Sequence, residues 1–291
     1  MKALKTPLRY PGGKSKAIKT LAQWYPKVIT EYREPFIGGG SIAIDITKAN
    51  PDIPVWVNDL YVPLYNFWVQ LRDRGKELSE RVRDEKQRTL DEGDPDKITK
   101  KAKELFNKYK AEIDTYDDFE KAVAFFIMNK CSFSGLTENS TFSKTASNSN
   151  FSLVGADKLF QFSRLIKNWK ITNIDYSEVM KAKGYADTFI FLDPPYDIKD
   201  FLYGKNREMH KSFDHDLFAD HVSTCMHKFM ITYNLNDRLL DLYKNYNLKE
   251  WKLRYSMAHR GDKGTNENIK TELLVTNYEV NPINTLQEML Y

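Results

Sequence analysis

Short apolar runs alternate with amphipathic, highly charged stretches along this chain, and the two patterns predict different elements. Apolar runs rich in β-branched or aromatic residues and ended by polar or glycine residues indicate buried strands. Such runs lie at 55–58, 189–192, 229–234 and 272–278, and the more polar stretches 29–36 and 170–176 are also predicted to contain strands. Residues 61–128 instead carry alternating charges at helical spacing and predict two or three amphipathic helices, with a loop at 91–96.

The glycines at 38–40 follow the first predicted strand and open an apolar helix. A strand–glycine–helix unit of this kind brings a ligand close to the backbone. Gly38-x-Gly40-x-x-Ala43 also fits a dinucleotide-binding fingerprint, and Asp59 follows the next strand, about 20 residues on, where ribose hydroxyls bind in such folds. The pattern therefore predicts a nucleotide-containing cofactor but does not identify it.

Composition narrows the class of protein only modestly. The chain has 291 residues, of which 41% are apolar, so one or two domains with an ample core are expected. The net charge of +4 is mild, although residues 1–30 hold Lys and Arg and no Asp or Glu. Two cysteines far apart indicate neither a disulfide framework nor a zinc cluster. Without a signal peptide or an apolar run of about 20 residues, an intracellular, cytoplasmic protein is expected.

The run Phe189-Ile190-Phe191-Leu192 ends at a carboxylate, two prolines and an aromatic ring. The prolines remove two N–H donors, so the strand cannot continue. Asp193 and the carbonyl of Pro194 remain as acceptors at the carboxyl end of a strand, where open α/β sheets bind ligands. Acceptors beside the ring of Tyr196 suit a planar ligand that carries an amino group.

Asp-Pro-Pro-Tyr after an apolar strand resembles the catalytic motif of the amino-group DNA methyltransferases, which methylate adenine N6 or cytosine N4. Three further segments resemble motifs of that family: Tyr10-Pro11-Gly12-Gly13-Lys14, Glu34-Pro35-Phe36-x-Gly38-x-Gly40-Ser41, and Asn129-x-x-x-Phe133-x-Gly135-Leu136. Their order along the chain matches the alpha group, which includes the adenine methyltransferases of GATC sites. A phosphate-binding P-loop at Gly13-Lys14-Ser15 is rejected, because position 8 is Leu and no strand precedes it.

The resemblance implies S-adenosylmethionine as cofactor and assigns roles by position. The catalytic residues would be Asp193, Pro194, Pro195 and Tyr196. The cofactor-binding residues would be Tyr10, Lys14, Glu34, Pro35, Phe36, Gly38, Gly40, Ser41, Asp59, Asp175 and Asp193. DNA contacts are expected from a polar hairpin or loop within 129–151, through Lys130, Ser134, Thr137, Asn139 and Lys144. Basic residues at 203–213 and 254–270 are further candidates for DNA contact.

The fold that the resemblance implies is α/β, a Rossmann-like methyltransferase sheet with an inserted helical target-recognition domain. Residues 1–60 and 169–291 would form the catalytic domain, and 61–168 the insert. The expected activity is site-specific adenine-N6 methylation of double-stranded DNA by base flipping, by a monomer that needs no metal and no membrane. The histidines at 210, 215, 221 and 227 lack the spacing of a zinc motif.

Three other functions are open alternatives. A cytosine-N4 methyltransferase is the nearest, although that chemistry more often accompanies Ser-Pro-Pro-Tyr. A DNA-binding protein on an inactive methyltransferase scaffold is disfavoured by the intact Asp193 and Tyr196. A nicotinamide oxidoreductase lacks an evident hydride-transfer acid or base near its glycine loop. The target sequence and a cognate restriction endonuclease are left open.

Overall fold

The computed structural model of the chain describes residues 4–137, 140–196, 213–254 and 269–280. Within these residues seven strands form one sheet in the order β3-β2-β1-β4-β5-β7-β6. The strands are β1 (Glu31–Glu34), β2 (Val55–Asn58), β3 (Lys170–Thr172), β4 (Thr188–Leu192), β5 (Lys228–Asn234), β6 (Asn247–Arg254) and β7 (Ile269–Thr276). Strands β1 to β5 pair in parallel, whereas β7 runs antiparallel between β5 and β6. The Rossmann-like sheet expected from the sequence is confirmed.

Strand order reverses between β1 and β4, which pair in parallel through Tyr32 and Phe189. From β1 the chain proceeds to β2 on one side of this point, and from β4 it proceeds to β5 on the other. Loops that leave the carboxyl ends of two such strands diverge and open a crevice, which is where α/β sheets bind ligands. The glycine loop follows β1 and Asp193 follows β4, so both predicted motifs lie at this crevice.

Ten α-helices are present in the described part of the chain. They are α1 (Ile18–Leu21), α2 (Ser41–Ala49), α3 (Val62–Leu90), α4 (Pro95–Glu112), α5 (Asp118–Cys131), α6 (Lys144–Asn150), α7 (Leu153–Ile166), α8 (Tyr176–Lys181), α9 (His215–Ser223) and α10 (Asp237–Leu242). The five helices α3 to α7 all lie between β2 and β3 in the chain, within the stretch predicted as the insert. Their role in recognising DNA stays a prediction.

Local side-chain chemistry explains where the helices of this insert begin. Asp94 accepts hydrogen bonds from two backbone N–H groups of the first turn of α4, and Pro95 occupies the first helical position. Asp117, Ser143 and Ser152 accept equivalent bonds at the starts of α5, α6 and α7. These caps satisfy donors that a helix start otherwise leaves unpaired.

The insert packs directly on the sheet domain and shares its hydrophobic core. Phe67 and Trp68 of α3 are fully buried, in one cluster with Tyr32 of the sheet and Phe126 of α5. Helices α3 and α7 approach so closely at Gly75 that a Cβ atom there would lie 2.1 Å from Ser163 Cβ. The opposite face of the sheet is covered by α9 and α10 in a second cluster. The insert is thus anchored at its base by ordinary core packing.

Two local features differ from what the sequence predicted. Near the N-terminal end, residues 14–24 form α1 with a short 3-10 turn on either side of it. The polar stretch expected to be a hairpin or loop contains α6, because Ser143 caps a turn whose Ala146 and Ser147 are buried. Strand β6 was not predicted at all. No helix in the described ranges is long and apolar enough to cross a membrane.

Candidate active site

Asp193 lies immediately after β4, whose five residues are all buried. Its carboxylate accepts hydrogen bonds from two other parts of the chain. The Lys14 ammonium lies 2.6 Å from both Oδ1 and Oδ2, and the Thr232 hydroxyl donates to Oδ1 at 2.7 Å. The Asp193 side chain keeps 20% of its surface exposed, whereas that of Lys14 keeps 3%. The Asp193 carboxylate is therefore fixed by the Lys14 and Thr232 side chains, and part of its surface stays accessible to solvent.

Lys14 reaches Asp193 from a tight turn at the N-terminal end of the chain. Gly13 N donates to Tyr10 O at 3.0 Å across this turn, and Gly12 has a φ of +73°, which requires glycine. The Lys14 ammonium also donates to Gly12 O at 3.0 Å. The turn thereby fixes the cation as well as the backbone. The sequence predicted Lys14 as a cofactor contact, and the structure places its ammonium on the carboxylate of Asp193, the residue predicted to be catalytic.

Tyr196 is positioned by its hydroxyl, which donates to Glu272 Oε2 on β7. Glu272 is 1% exposed, so this acceptor is a buried carboxylate rather than a surface group. The Tyr196 ring lies 6.2 Å from the ring of Tyr233 and 5.1 Å from the Lys14 ammonium. Asp193, Lys14 and Tyr196 therefore form one cluster. The sequence motif predicted that Asp193 and Tyr196 lie close together, and the structure adds Lys14 to them.

Thr232 and Glu272 are the two members of this cluster that sequence reasoning missed. Each is a polar residue within a buried strand: Thr232 lies in Phe229-Met230-Ile231-Thr232-Tyr233, and Glu272 precedes Leu273-Leu274-Val275. A fully buried polar residue needs a partner, and that requirement is the signal that could have identified them. The sequence does not indicate, however, that Thr232 pairs with Asp193 and Glu272 with Tyr196, because these contacts depend on how the strands pair.

The glycine loop after β1 is held between two aromatic side chains. A Cβ atom at Gly38 would lie 2.8 Å from the Tyr10 ring, and one at Gly40 would lie 2.7 Å from the Trp68 ring. Both glycines have positive φ, +47° and +67°, so the loop needs glycine for its conformation as well as for space. Tyr10, which the sequence predicted to contact cofactor, packs directly on this loop.

Asp59 lies just beyond β2 and reaches the glycine loop. Its carboxylate accepts from Gly38 N at 3.1 Å and from Tyr61 N at 3.0 Å. Burial nevertheless raises the pKa of Asp59 to about 6. The neighbouring Asn58 is buried and donates to the carbonyl oxygens of Pro35 and Ile174, which joins the ends of β1 and β3. The acidic residue expected to hold a ribose is thus fixed beside the predicted loop.

Glu34, Pro35 and Ser41 are all buried within this loop region. Glu34 accepts from the Tyr32 hydroxyl at 2.7 Å and from Ala43 N at 2.9 Å. The pKa of Glu34 is raised to about 8, mainly by burial and also by the negative charge of Asp193, although those two hydrogen bonds act to lower it. A mainly protonated carboxyl group at neutral pH suits a role in holding the start of α2 to the end of β1.

An aromatic wall stands beside the same strand ends. The half-buried Phe36 ring lies 5.4 Å from the ring of Tyr176 and 5.8 Å from that of Phe213. Asp175, which was predicted to contact an adenine, is exposed and caps α8 by accepting from Ser177 N at 2.9 Å. The rings offer flat apolar surface at the carboxyl ends of β1 and β3.

The residues predicted to contact DNA are distributed rather than clustered. The half-buried Lys130 donates to Pro7 O at 2.6 Å, and burial together with the charge of Arg9 lowers the pKa of its ammonium to about 7. Lys144 is exposed and pairs with Asp96 at 3.0 Å. Thr137 is 5% exposed. Ser134 lies in a 3-10 turn at Phe133–Gly135, and Asn139 is outside the described residues, as are most of 203–213 and 254–270.

The histidines in the described ranges are engaged by hydrogen bonds. His215 Nδ1 lies 2.9 Å from the Tyr233 hydroxyl, and His221 Nδ1 lies 3.1 Å from the Tyr176 hydroxyl. His227 Nε2 lies 3.0 Å from Ala182 O. Within the residues the structure describes, no group of three or more His, Cys, Asp or Glu side chains could hold a metal ion.

Comparison with known proteins gives consistent matches. Residues 10–257 match the family model of the D12 class N6 adenine-specific DNA methyltransferases. The chain is 25% identical over 290 residues to the Type II methyltransferase M.MjaIII of Methanocaldococcus jannaschii, covering 93% of this chain and 98% of that one. It is 23% identical to M1.LlaDCHI of Lactococcus lactis subsp. cremoris, over 93% and 94% of the two chains. It is 24% identical to M.CviBI of Paramecium bursaria Chlorella virus NC1A, over 94% and 100%.

Proposed function

Because the chain belongs to the D12 class N6 adenine-specific DNA methyltransferases, we propose that it methylates adenine N6 in double-stranded DNA with S-adenosylmethionine as donor. The exocyclic amine of a stacked, paired base is inaccessible to a protein carboxylate. The proposal therefore includes extrusion of the target nucleotide from the duplex, as enzymes that act on bases generally require.

The observation that carries this proposal is the pairing of Asp193 with Lys14. An ammonium 2.6 Å from both carboxylate oxygens indicates that Asp193 accepts hydrogen bonds from a nitrogen with several N–H groups. An exocyclic amine offers the same chemistry with two N–H donors. The target amine would replace Lys14 at one or both oxygens, while Thr232 continues to hold Oδ1.

Asp193 would act by orientation and charge rather than as a strong base. With its N–H groups directed at the Asp193 carboxylate and at the carbonyl of Pro194, the amine nitrogen keeps its lone pair free for attack. Positive charge that develops on the nitrogen is then stabilised by the nearby carboxylate, an electrostatic effect that preorganised sites supply without reorganisation. Tyr196, fixed through Glu272, would stack on the extruded base.

The residues at the ends of β1 to β3 fit S-adenosylmethionine by their chemistry. Asp59 offers acceptors for ribose hydroxyls, and its raised pKa reports a desolvated carboxylate. The rings of Phe36 and Tyr176 offer apolar faces for an adenine. Once bound, the cofactor would supply an electrophilic methyl group on a positively charged sulfur. Tyr10, Gly38 and Gly40 would shape the loop that faces it.

The test uses the purified full chain with unmethylated duplex DNA and radiolabelled S-adenosylmethionine. Asp193→Ala should lower the rate of methyl transfer by about 100-fold or more, the loss expected when one such stabilising group is removed. Calorimetric binding of S-adenosylhomocysteine should persist in this variant, and digestion of the wild-type product to nucleosides should yield N6-methyl-2′-deoxyadenosine. N4-methylcytosine would favour the cytosine alternative, and binding of NAD without S-adenosylhomocysteine would refute the methyltransferase mechanism.

A further inference from the structure

Asn129, at the end of α5, joins the insert to the N-terminal segment of the chain. The Asn129 side chain is 0% exposed. Its amide oxygen accepts from Arg9 N at 2.9 Å, and its amide nitrogen donates to Arg9 O at 2.7 Å and to Gly135 O at 3.0 Å. One side chain thereby pairs with both backbone polar groups of a residue 120 positions away.

Neighbouring contacts strengthen the same junction. The Arg9 guanidinium donates to Ser132 O at 2.8 Å, and Lys130 donates to Pro7 O at 2.6 Å. Gly135 has a φ of +78°, and a Cβ atom there would lie 2.2 Å from Arg9 O. The two backbones approach too closely for any side chain at position 135. Residues 7–9 and 129–135 therefore move as one unit unless several buried hydrogen bonds break.

On one side, this junction leads straight into the active site. Residue 10 follows Arg9 directly, and its ring packs against the glycine loop at Gly38 and Gly39. Lys14 follows after the turn and binds both oxygens of Asp193. A shift of Arg9 is thus a shift of the base of the segment that carries Tyr10 and Lys14.

On the other side, the junction leads into the polar segment of the insert. Ser132 forms an antiparallel bridge with Phe142, and Phe133 N donates to Thr141 O at 3.3 Å. Ser143 N donates to Cys131 O at 2.8 Å. Residues 132–133 and 141–143 are therefore anchored to the same end of α5 as Asn129.

We propose that Asn129 is a positioning residue that couples DNA contact at 132–137 and 140–142 to the placement of Tyr10 and Lys14. The inference rests on the proposed function, since it takes DNA as the ligand of the insert. DNA that displaces residues 132–137 would carry Arg9 with them through Asn129 and so adjust the position of the Lys14 ammonium at Asp193 and of the Tyr10 ring at the glycine loop. Binding of DNA and of cofactor would then be energetically linked.

The test measures the dissociation constant of S-adenosylhomocysteine in the absence and presence of saturating sonicated, unmethylated duplex DNA. The ratio of the two constants is the coupling, and coupled sites commonly show factors from about 5 to 150. The wild type should show at least about a five-fold ratio, and Asn129→Leu, which removes all three hydrogen bonds, should bring it to about one. Ser79→Ala is the matched control, because it removes one buried hydrogen bond inside the insert, to Ala156 O, and should keep the wild-type ratio.

Arg9→Met is a second variant, and of the hydrogen bonds at this junction it removes only the one from the Arg9 guanidinium to Ser132 O. If Asn129→Leu does not fold cooperatively, the coupling is tested with Arg9→Met. Its ratio should lie between those of the wild type and Asn129→Leu. A wild-type ratio of one, or a full ratio in the variants, would overturn the inference while leaving the proposed function intact. Failure of the wild type to bind S-adenosylhomocysteine at all would refute the proposed function and this inference with it.

Discussion

Replacing Thr232 by Val isolates the support that the sheet gives to Asp193. Thr232 is 0% exposed on β5, and its hydroxyl donates to Asp193 Oδ1 at 2.7 Å. Valine has nearly the same volume and a high preference for strands, so the core around β5 should stay filled. In Thr232→Val the Asp193 carboxylate keeps its contact with Lys14. It loses the hydrogen bond from Thr232, which among the described residues is its one side-chain hydrogen bond from the sheet.

The expected magnitude follows from the charge on the acceptor. A hydrogen bond to an ionised group contributes about 1.5–3 kcal/mol, roughly twice that of a neutral pair. If the bond holds Asp193 in the orientation that the target amine needs, its loss should lower the methyl-transfer rate by about 10- to 150-fold. The affinity for S-adenosylhomocysteine should change little, because Thr232 supports the carboxylate and not the strand ends at Asp59.

The assay is single-turnover methyl transfer at saturating DNA and cofactor, with thermal unfolding measured in parallel. Thr276→Val serves as a matched control: Thr276 is also 0% exposed, in the adjacent strand β7, and its hydroxyl donates to the neutral Tyr278 O at 2.8 Å. Thr276→Val should lose about 1 kcal/mol of stability and Thr232→Val about 1.5–3 kcal/mol, but only Thr232→Val should be slow in methyl transfer. Equal rates in the two variants would refute the assignment of Thr232 as a support of the catalytic carboxylate.

Three further results are expected. Since burial raises the pKa of Glu34 from 4.5 to about 8, the folded state binds a proton that the unfolded chain releases, so stability should fall as pH rises from about 5 to 8; Glu34→Gln should flatten this slope in urea titrations. Affinity for S-adenosylhomocysteine should rise as pH increases through 6, where Asp59 ionises, and Asp59→Asn should abolish that rise. Lys144→Ala should weaken all duplex DNA alike and lower the salt slope by about one, whereas an unchanged slope would exclude a phosphate contact.

The sequence predicted β4 and β5 well because each centres on a run of consecutive buried, mostly apolar residues. Strand β6 shows the limit of that signal. It alternates apolar and charged positions, with Trp251 and Leu253 buried and Lys252 exposed between them, as expected for an antiparallel strand at the edge of a sheet. In a lysine-rich stretch, this alternation of apolar and charged residues is difficult to distinguish from a solvent-exposed loop, and for that reason the sequence did not predict β6.

The candidate site likewise contains residues that a short sequence motif predicts and residues that only the pairing of distant strands brings into place. Asp193 and Tyr196 could be predicted because they lie in one short motif after an apolar strand. Their supports Thr232 and Glu272 lie 39 and 76 residues further along the chain. The register of β4 with β5 brings Thr232 to the crevice, and that of β5 with β7 brings Glu272 there. Sequence spacing alone carries no record of that register, since pairing shifted by one residue would turn each side chain to the other face.

Lys14 shows why the partner of a predicted residue is harder to predict than the residue itself. Its position after a glycine turn indicated a cation near the cofactor, and the turn is as expected. A side chain that is 3% exposed, however, needs a compensating charge, and Asp193 is the carboxylate within reach of this turn. The consequence under the proposed function is chemical: Lys14 lies at both oxygens of Asp193, so it would have to give up at least one of them before the target amine could donate to this carboxylate. Segments that move Lys14, above all residues 7–9 with Asn129, would therefore control access to the proposed acceptor.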